Sequence, residues 1–102
     1  MSVVLGLTKL PYTQWSDEIL ATLVAQGDVT ALETLYDRHA AMILGIALKI
    51  TDDQALAEEV LEETFWKVWQ RADAYPSGGR AFTAWLFRIA RSLAMDACQQ
   101  QR

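Results

Sequence analysis

An apolar stripe at helical spacing is the feature that most limits what this chain can fold into. Its members recur at i, i+3 and i+4: Leu32, Leu35, Tyr36, His39, Ile43, Ile46, Ala47 and Ile50. A half-buried strand would need apolar and polar residues to alternate instead. Only two prolines and five glycines interrupt the 102 residues, so little in the sequence would break long helices. The stripe therefore predicts the central core helix of an all-α protein.

Turn signals divide the rest of the chain into three further helices, which predicts a compact four-helix domain. The predicted helices cover residues 16–26, 30–50, 52–72 and 81–98. Residues 1–15 show no sustained period and contain Pro11, so we expect a flexible or loosely docked N-terminal arm. Residues 99–102 lack an apolar stripe, and we expect them to begin a linker to an absent C-terminal domain.

Capping signals give the expected helix starts. Ser16 is a good N-cap for the first helix. Thr30 with Glu33 three residues later forms a capping box for the second. Thr51 or Asp52 is expected to start the third. The predicted buried stripes of the first and fourth helices are Ile19, Leu20, Leu23 and Val24, and Phe82, Trp85, Leu86, Ile89, Ala90, Leu93 and Ala97.

Charge is divided unevenly along the chain, which has a net charge of −4. Residues 1–73 carry twelve acidic and five basic side chains, a net −7, whereas residues 74–102 carry one acidic and four basic side chains, a net +3. Such a division suggests an acidic surface for one partner and a basic surface for another.

Cysteine content and hydropathy favour a cytoplasmic protein. Cys98 is the only cysteine, so no intrachain disulfide can form and nothing indicates an oxidising compartment. The apolar patch at residues 3–7 lacks the basic leader and cleavage site of a signal peptide. No apolar run approaches the ~20 residues that cross a bilayer, so membrane insertion is not expected.

Few residues in the sequence could carry enzymatic chemistry. There is one histidine and one cysteine, and no HExxH, CxxC, Walker or nucleophile-elbow motif. The glutamate pairs at i, i+4 could hold a metal in a helical bundle, but the Glu-x-x-His motif that accompanies them in di-iron bundles is missing. We therefore expect no enzyme, no cofactor and no metal.

The third predicted helix separates apolar from acidic residues. Its inward residues are expected to be Val60, Leu61, Thr64, Val68 and Ala72. Its outward residues are expected to be Glu58, Glu59, Glu62, Glu63 and Trp66. Because an exposed tryptophan is costly in water and common at binding hot spots, this second surface resembles a docking face.

Arginines and aromatics alternate around the start of the fourth predicted helix. Gly78 and Gly79 precede Arg80 where free backbone N–H groups favour an anion. The interleaved residues are Tyr75, Arg80, Phe82, Trp85, Phe87, Arg88 and Arg91. Single-stranded DNA is held by such mixtures of cations and stacking surfaces, although the spacing of Phe82 and Trp85 favours a core position for those two.

Three blocks of the sequence, in order, resemble region 2 of the extracytoplasmic-function (ECF) sigma factors of bacterial RNA polymerase. They are DEILATLVAQGDVTALETLYDRHA, AEEVLEETFWKVWQRA and GRAFTAWLFRIARSLAMD. The last contains the characteristic pattern F-x-x-W-L-x-R-I-A-R, and the resemblance covers about residues 16–101. It implies a helical sigma-2 domain that binds the coiled coil of the polymerase β′ subunit and opens the promoter at its −10 element.

The resemblance also implies roles for individual residues. Polymerase-binding residues would be Glu58, Glu59, Glu62, Glu63, Trp66 and Trp69. DNA-binding residues would be Tyr75, Arg80, Arg88, Arg91 and Ser92, with residues 75–80 forming the pocket for a flipped base of the non-template strand. An anti-sigma factor is a further expected partner.

The chain departs from the family pattern in three places. Ser92 stands where the family usually has Asn, so the base contact of that Asn is in doubt. Residues 97–101 lack the basic residues that usually follow Asp96, which predicts weaker DNA binding with a shallower salt dependence. No helix-turn-helix follows. An alternative function is therefore a helical protein-interaction module with little DNA binding, and a metal-binding bundle is a more distant one.

Overall fold

Helices alone build the fold across the residues that a computed structural model describes, 11–74 and 81–100. Four α-helices follow one another: α1 is Asp17–Ala25, α2 is Val29–Thr51, α3 is Gln54–Arg71 and α4 is Ala81–Gln100. A 3-10 turn, Ala72–Ala74, extends α3, and residues 11–14 are also helical. The predicted all-α class is confirmed.

Ser16 caps α1 as predicted, but the predicted cap of α2 is wrong. The Ser16 hydroxyl accepts a hydrogen bond from the Ile19 N–H at 3.2 Å. Asp28, not Thr30, begins α2, because its extended backbone lets its Oδ1 accept from the Ala31 N–H at 3.1 Å. Gly27, with φ of +91°, reverses the chain just before it. Aspartate is at least as good a cap as threonine, and the earlier of the two competing signals starts the helix.

The start of α3 also differs from the prediction. Thr51 is the last residue of α2, and Asp52 takes a left-handed conformation with φ of 52° that ends it. Asp53 then caps α3, its Oδ1 accepting from the Leu56 N–H at 3.1 Å. Aspartate tolerates the left-handed region better than most residues, so two neighbouring aspartates serve as C-cap and N-cap in turn.

The core lies where α2 packs against all three other helices. Its main cluster joins Leu20, Ala21, Val24, Ala31, Leu35, Ile43, Leu61, Phe65, Val68, Ala72, Phe82, Leu86 and Ala90. A smaller cluster joins Ala47, Ala57, Val60 and Ala94. Two predicted core residues are wrong: Ile19 is 49% exposed and Tyr36 is 38% exposed, although the Tyr36 ring still packs edge-on against Phe65 at 5.0 Å.

The start of α3 lies beside the end of α4, so these two helices run antiparallel. Leu56 shares a groove with Ala97 and Gln100, whereas Arg71 shares one with Trp85. This pairing brings charged residues of α3 next to residues of α4 that are far away in the sequence.

A polar cluster joins the residues around the start of α1 to Arg38 and His39 inside α2. Arg38 donates to the backbone oxygens of Tyr12 and Thr13 at 3.2 and 2.9 Å, and to Asp17 Oδ1 at 3.0 Å. His39 Nε2 lies 3.0 Å from Asp17 Oδ2. Residues 1–10 of the predicted arm lie outside the described residues, and the arm stays a prediction.

Candidate functional site

The outward surface of α3 carries all four predicted glutamates. Glu58, Glu59, Glu62 and Glu63 are exposed, while the opposite face of the helix is buried in the core. Glu58 accepts a hydrogen bond from Gln54 Nε2 at 2.8 Å. Across residues 11–74 and 81–100, none of the four forms an ion pair. Their charge is therefore available to a partner.

Trp66 and Trp69 occupy different environments, although both were predicted to bind polymerase. Trp66 is 59% exposed, whereas Trp69 is half-buried and packs against the main core cluster. Both line a shallow groove of about 290 Å³ between α3 and the start of α2, here called the tryptophan groove. Its lining residues are Val29, Leu32, Glu62, Phe65, Trp66 and Trp69.

Two of the four glutamates face the other side of α3, toward α4. Glu59 and Glu63 line a groove with Asp96 of α4, here called the acidic groove. The acidic surface predicted from the sequence is therefore divided, with Glu62 beside the tryptophans and Glu59 and Glu63 beside α4. A partner that covers the whole surface must straddle the ridge of α3.

Farther along the same side of α3, the charge changes sign. Lys67 and Arg71 continue the i, i+4 series of Glu59 and Glu63. They line a groove of about 410 Å³, here called the basic groove, together with Trp85, Arg88, Ile89, Ser92, Leu93 and Asp96. Two predicted DNA-binding residues, Arg88 and Ser92, thus lie next to two basic residues of α3.

Lys67 and Arg71 were missed as candidate binding residues. The signal that could have found them is their i, i+4 spacing on the face that carries Glu59 and Glu63. Since residues 75–80 separate α4 from the end of the 3-10 turn, the sequence alone did not show which face of α3 it would join.

The remaining predicted DNA-binding residues are Arg91, Tyr75 and Arg80, beside which the sequence offered the rings of Phe82 and Phe87. Arg91 is exposed on α4 but does not line the basic groove. Tyr75 and Arg80 lie outside the described residues, as does the predicted base pocket at 75–80. Phe82 is in the core as expected, whereas Phe87 is 41% exposed.

Neither a metal cluster nor a membrane-spanning helix is found in the described part of the chain. Across residues 11–74 and 81–100, no three histidine, cysteine or acidic side chains come together in a way that could hold an ion. Within those same ranges, no helix combines the length and apolarity that a bilayer crossing needs.

The family model for sigma-70 region 2 matches residues 35–102, about two thirds of the chain. This chain belongs to the sigma-70 region 2 family. The resemblance inferred from the three sequence blocks is confirmed, and α2 from Leu35 onward, α3 and α4 form the part of the region 2 fold that the match covers.

Several sigma factors are similar to this region 2 chain. The ECF RNA polymerase sigma factor SigL of Mycobacterium tuberculosis is 36% identical over 78 residues, which are 76% of this chain and 44% of SigL. The RNA polymerase sigma factor CarQ of Myxococcus xanthus is 38% identical over 76 residues, 74% of this chain and 43% of CarQ. The chain spans less than half the length of these relatives. No solved structure matches it.

Proposed function

We propose that this region 2 chain is the part of a sigma factor that joins core RNA polymerase to the melted −10 element of a promoter. It would act in transcription initiation in the cytoplasm, and it would catalyse no reaction. The observation that carries the proposal is the division of charge on α3 and α4: an acidic, tryptophan-bearing surface lies next to an arginine-bearing one. Family membership, and the names of SigL and CarQ as RNA polymerase sigma factors, support it.

Polymerase binding is assigned to the exposed glutamates and Trp66. Acidic side chains that face the β′ coiled coil would set its register and speed the encounter, because complementary charge affects association rate more than affinity. Most of the affinity would come from Trp66, since buried aromatics dominate interface energetics. Trp69 would support Trp66 from below, because Trp69 already packs on the core.

DNA binding is assigned to the exposed residues of α4 and to residues 75–80 before it. Separating a base-pair step costs about 1.4 kcal/mol in stacking, while stacking one base on an aromatic side chain returns about 1 to 3 kcal/mol. A small domain can therefore hold a melted strand without hydrolysing a nucleotide. Arg88 and Arg91 supply cations on α4, and Phe87 adds an exposed ring.

Fluorescence anisotropy tests both halves of the proposal. A labelled single-stranded oligonucleotide of −10 sequence is titrated with the chain, alone and with core polymerase. Binding in the presence of polymerase, and its loss in Arg88→Ala and Arg91→Ala, are the expected results. If the oligonucleotide binds neither to the chain alone nor to its complex with core polymerase, the DNA half of the proposal is refuted. A separate pull-down of core polymerase, with Glu62→Lys and Glu63→Lys as disruptive variants, tests the other half.

The alternative is a protein-interaction module with little DNA binding. Asp96 favours it, because its exposed carboxylate lies in the groove that Arg88 and Ser92 line, and no basic residue follows it before Arg102. Strong binding to polymerase without binding to the oligonucleotide would support this function. Competition by an anti-sigma factor, the further expected partner, can be measured in the same pull-down.

A further inference from the structure

The basic groove contains more positive charge than its α4 residues supply. Lys67 and Arg71 lie on one wall and Arg88 on the other, with Ser92 beside Arg88. The two residues on α3 belong to the helix that also carries the residues assigned to polymerase. If α3 bound only polymerase and α4 bound only DNA, the two basic residues of α3 in this groove would have no assigned role.

The three cations of the basic groove have no counter-ion of their own. In the described residues, 11–74 and 81–100, the side chains of Lys67, Arg71 and Arg88 take part in no ion pair and no hydrogen bond. Glu63 precedes Lys67 by four residues, the orientation that best favours a helical ion pair, yet no such pair forms. Their charge is thus available to an external anion.

The spacing of these groups suits a repeating anion. Residues four apart on a helix are separated by about 6 Å along its axis, which applies to Lys67 and Arg71 on one wall and to Arg88 and Ser92 on the other. This separation is comparable with that of successive phosphates in an extended strand. Trp85 of α4 also lines the groove, is half-buried and packs on the Phe82 ring at 5.9 Å, so it adds apolar surface to the groove.

We infer that the basic groove binds the sugar–phosphate backbone of single-stranded DNA, with Lys67 and Arg71 of α3 as phosphate-binding residues opposite Arg88 and Ser92. This inference rests on the proposed function and extends its DNA surface onto α3. Asp96 ends the track, because its carboxylate, with Glu59 and Glu63 in the adjoining acidic groove, repels phosphate. An acidic peptide would meet the same cations, but Arg88 belongs both to the groove and to the exposed arginines of α4 that are assigned to DNA, which favours DNA.

Single substitutions test the inference in the complex of the full chain with core polymerase. Binding of a short labelled single-stranded oligodeoxynucleotide is measured between about 50 and 200 mM salt, a range over which phosphate contacts are strongly screened. Lys67→Ala and Arg71→Ala should each weaken binding roughly two- to fivefold. Each should also reduce the slope of log K against log salt by about 0.7.

Matched variants separate charge from structure. Lys67→Arg and Arg71→Lys keep the charge and should retain the affinity and salt slope of the parent chain. Lys49→Ala removes one exposed cation from α2, away from the basic groove, and should leave both quantities unchanged. Asp96→Asn removes the repelling carboxylate and should tighten binding.

Three results would overturn the inference, and each has a different meaning for the proposed function. Unchanged affinity and salt slope in both alanine variants, with loss in Arg88→Ala, would confine DNA to α4 and leave the proposed function standing. Weaker polymerase binding in Lys67→Ala and Arg71→Ala without DNA would assign the groove to a protein segment. Absence of binding by the parent complex would refute both the inference and the DNA half of the proposed function.

Discussion

Replacing Trp66 by alanine tests whether the outward surface of α3 is an interface. Trp66 is 59% exposed, and a tryptophan can bury up to about 250 Å², so roughly 150 Å² is open to a partner. Covering that area at about 25 cal/mol per Å² would contribute about 3 to 4 kcal/mol. Ordering the side chain costs about 1 kcal/mol of this. The net loss should be about 2 to 3 kcal/mol, or roughly 30- to 150-fold in Kd for polymerase.

Trp69→Ala is the matched control, because it removes the same side chain from the same helix. Trp69 packs on the core, so its loss should cost about 2 kcal/mol or more of unfolding free energy and lower Tm by at least about 8 °C. Trp66→Ala should change the unfolding free energy by no more than about 0.5 kcal/mol.

Two measurements decide the comparison: thermal unfolding followed by circular dichroism, and competition for core polymerase by labelled parent chain. If Trp66→Ala unfolds as early as Trp69→Ala, the Trp66 side chain is structural. If it competes as well as the parent chain, the energetic centre of the interface lies elsewhere. Either result would refute the assignment made from exposure.

Three further predictions concern promoter opening, the cap of α2 and the hydrogen bond between Tyr12 and Asp28. Arg88→Ala and Arg91→Ala should reduce promoter opening, measured by permanganate reactivity of unpaired thymines, without weakening polymerase binding; equal loss of both would contradict two separate surfaces. Asp28→Ala should cost about 1 kcal/mol through loss of the α2 cap and lower Tm by about 4 to 8 °C, whereas Asp28→Asn should retain most of the parent Tm. The Tyr12 hydroxyl donates to Asp28 Oδ2 at 2.8 Å, and this bond raises the pKa of Tyr12. Since the bond needs the phenol proton, its stabilisation should be complete below pH 10 and be lost as pH rises through the raised pKa. The tyrosinate absorbance of Tyr12 is the difference between the titration of the parent chain and that of Tyr12→Phe, and it should appear at higher pH than that of free tyrosine.

The fold class and the outward face of α3 could be predicted because each depends on residues close together in the sequence. Helical spacing separates the buried residues of α3, such as Val60 and Val68, from Glu59 and Glu63 without reference to the rest of the chain. Position along one helix was enough for those assignments.

Other features depend on competition or on distant neighbours. Asp28 and Thr30 are both good caps, and local sequence does not say which backbone will be extended. Ile19 is apolar and well placed in its stripe, but α1 is short and only one side of it is covered. The residues that surround Lys67 across the basic groove belong to α4, so its position beside Arg88 could not be predicted from the sequence of α3 alone.

The contacts of Arg38 have a consequence for where the folding unit begins. The match to the family starts at Leu35, in the middle of α2, yet Arg38 holds the backbone at Tyr12 and Thr13, and α1 supplies Leu20 and Val24 to the core. A fragment cut at the family boundary would lose the cap of α2 and expose one side of that helix. The segment that the family model matches is thus shorter than the set of residues that build the core, and we expect a stable minimal domain made from this chain to include Tyr12.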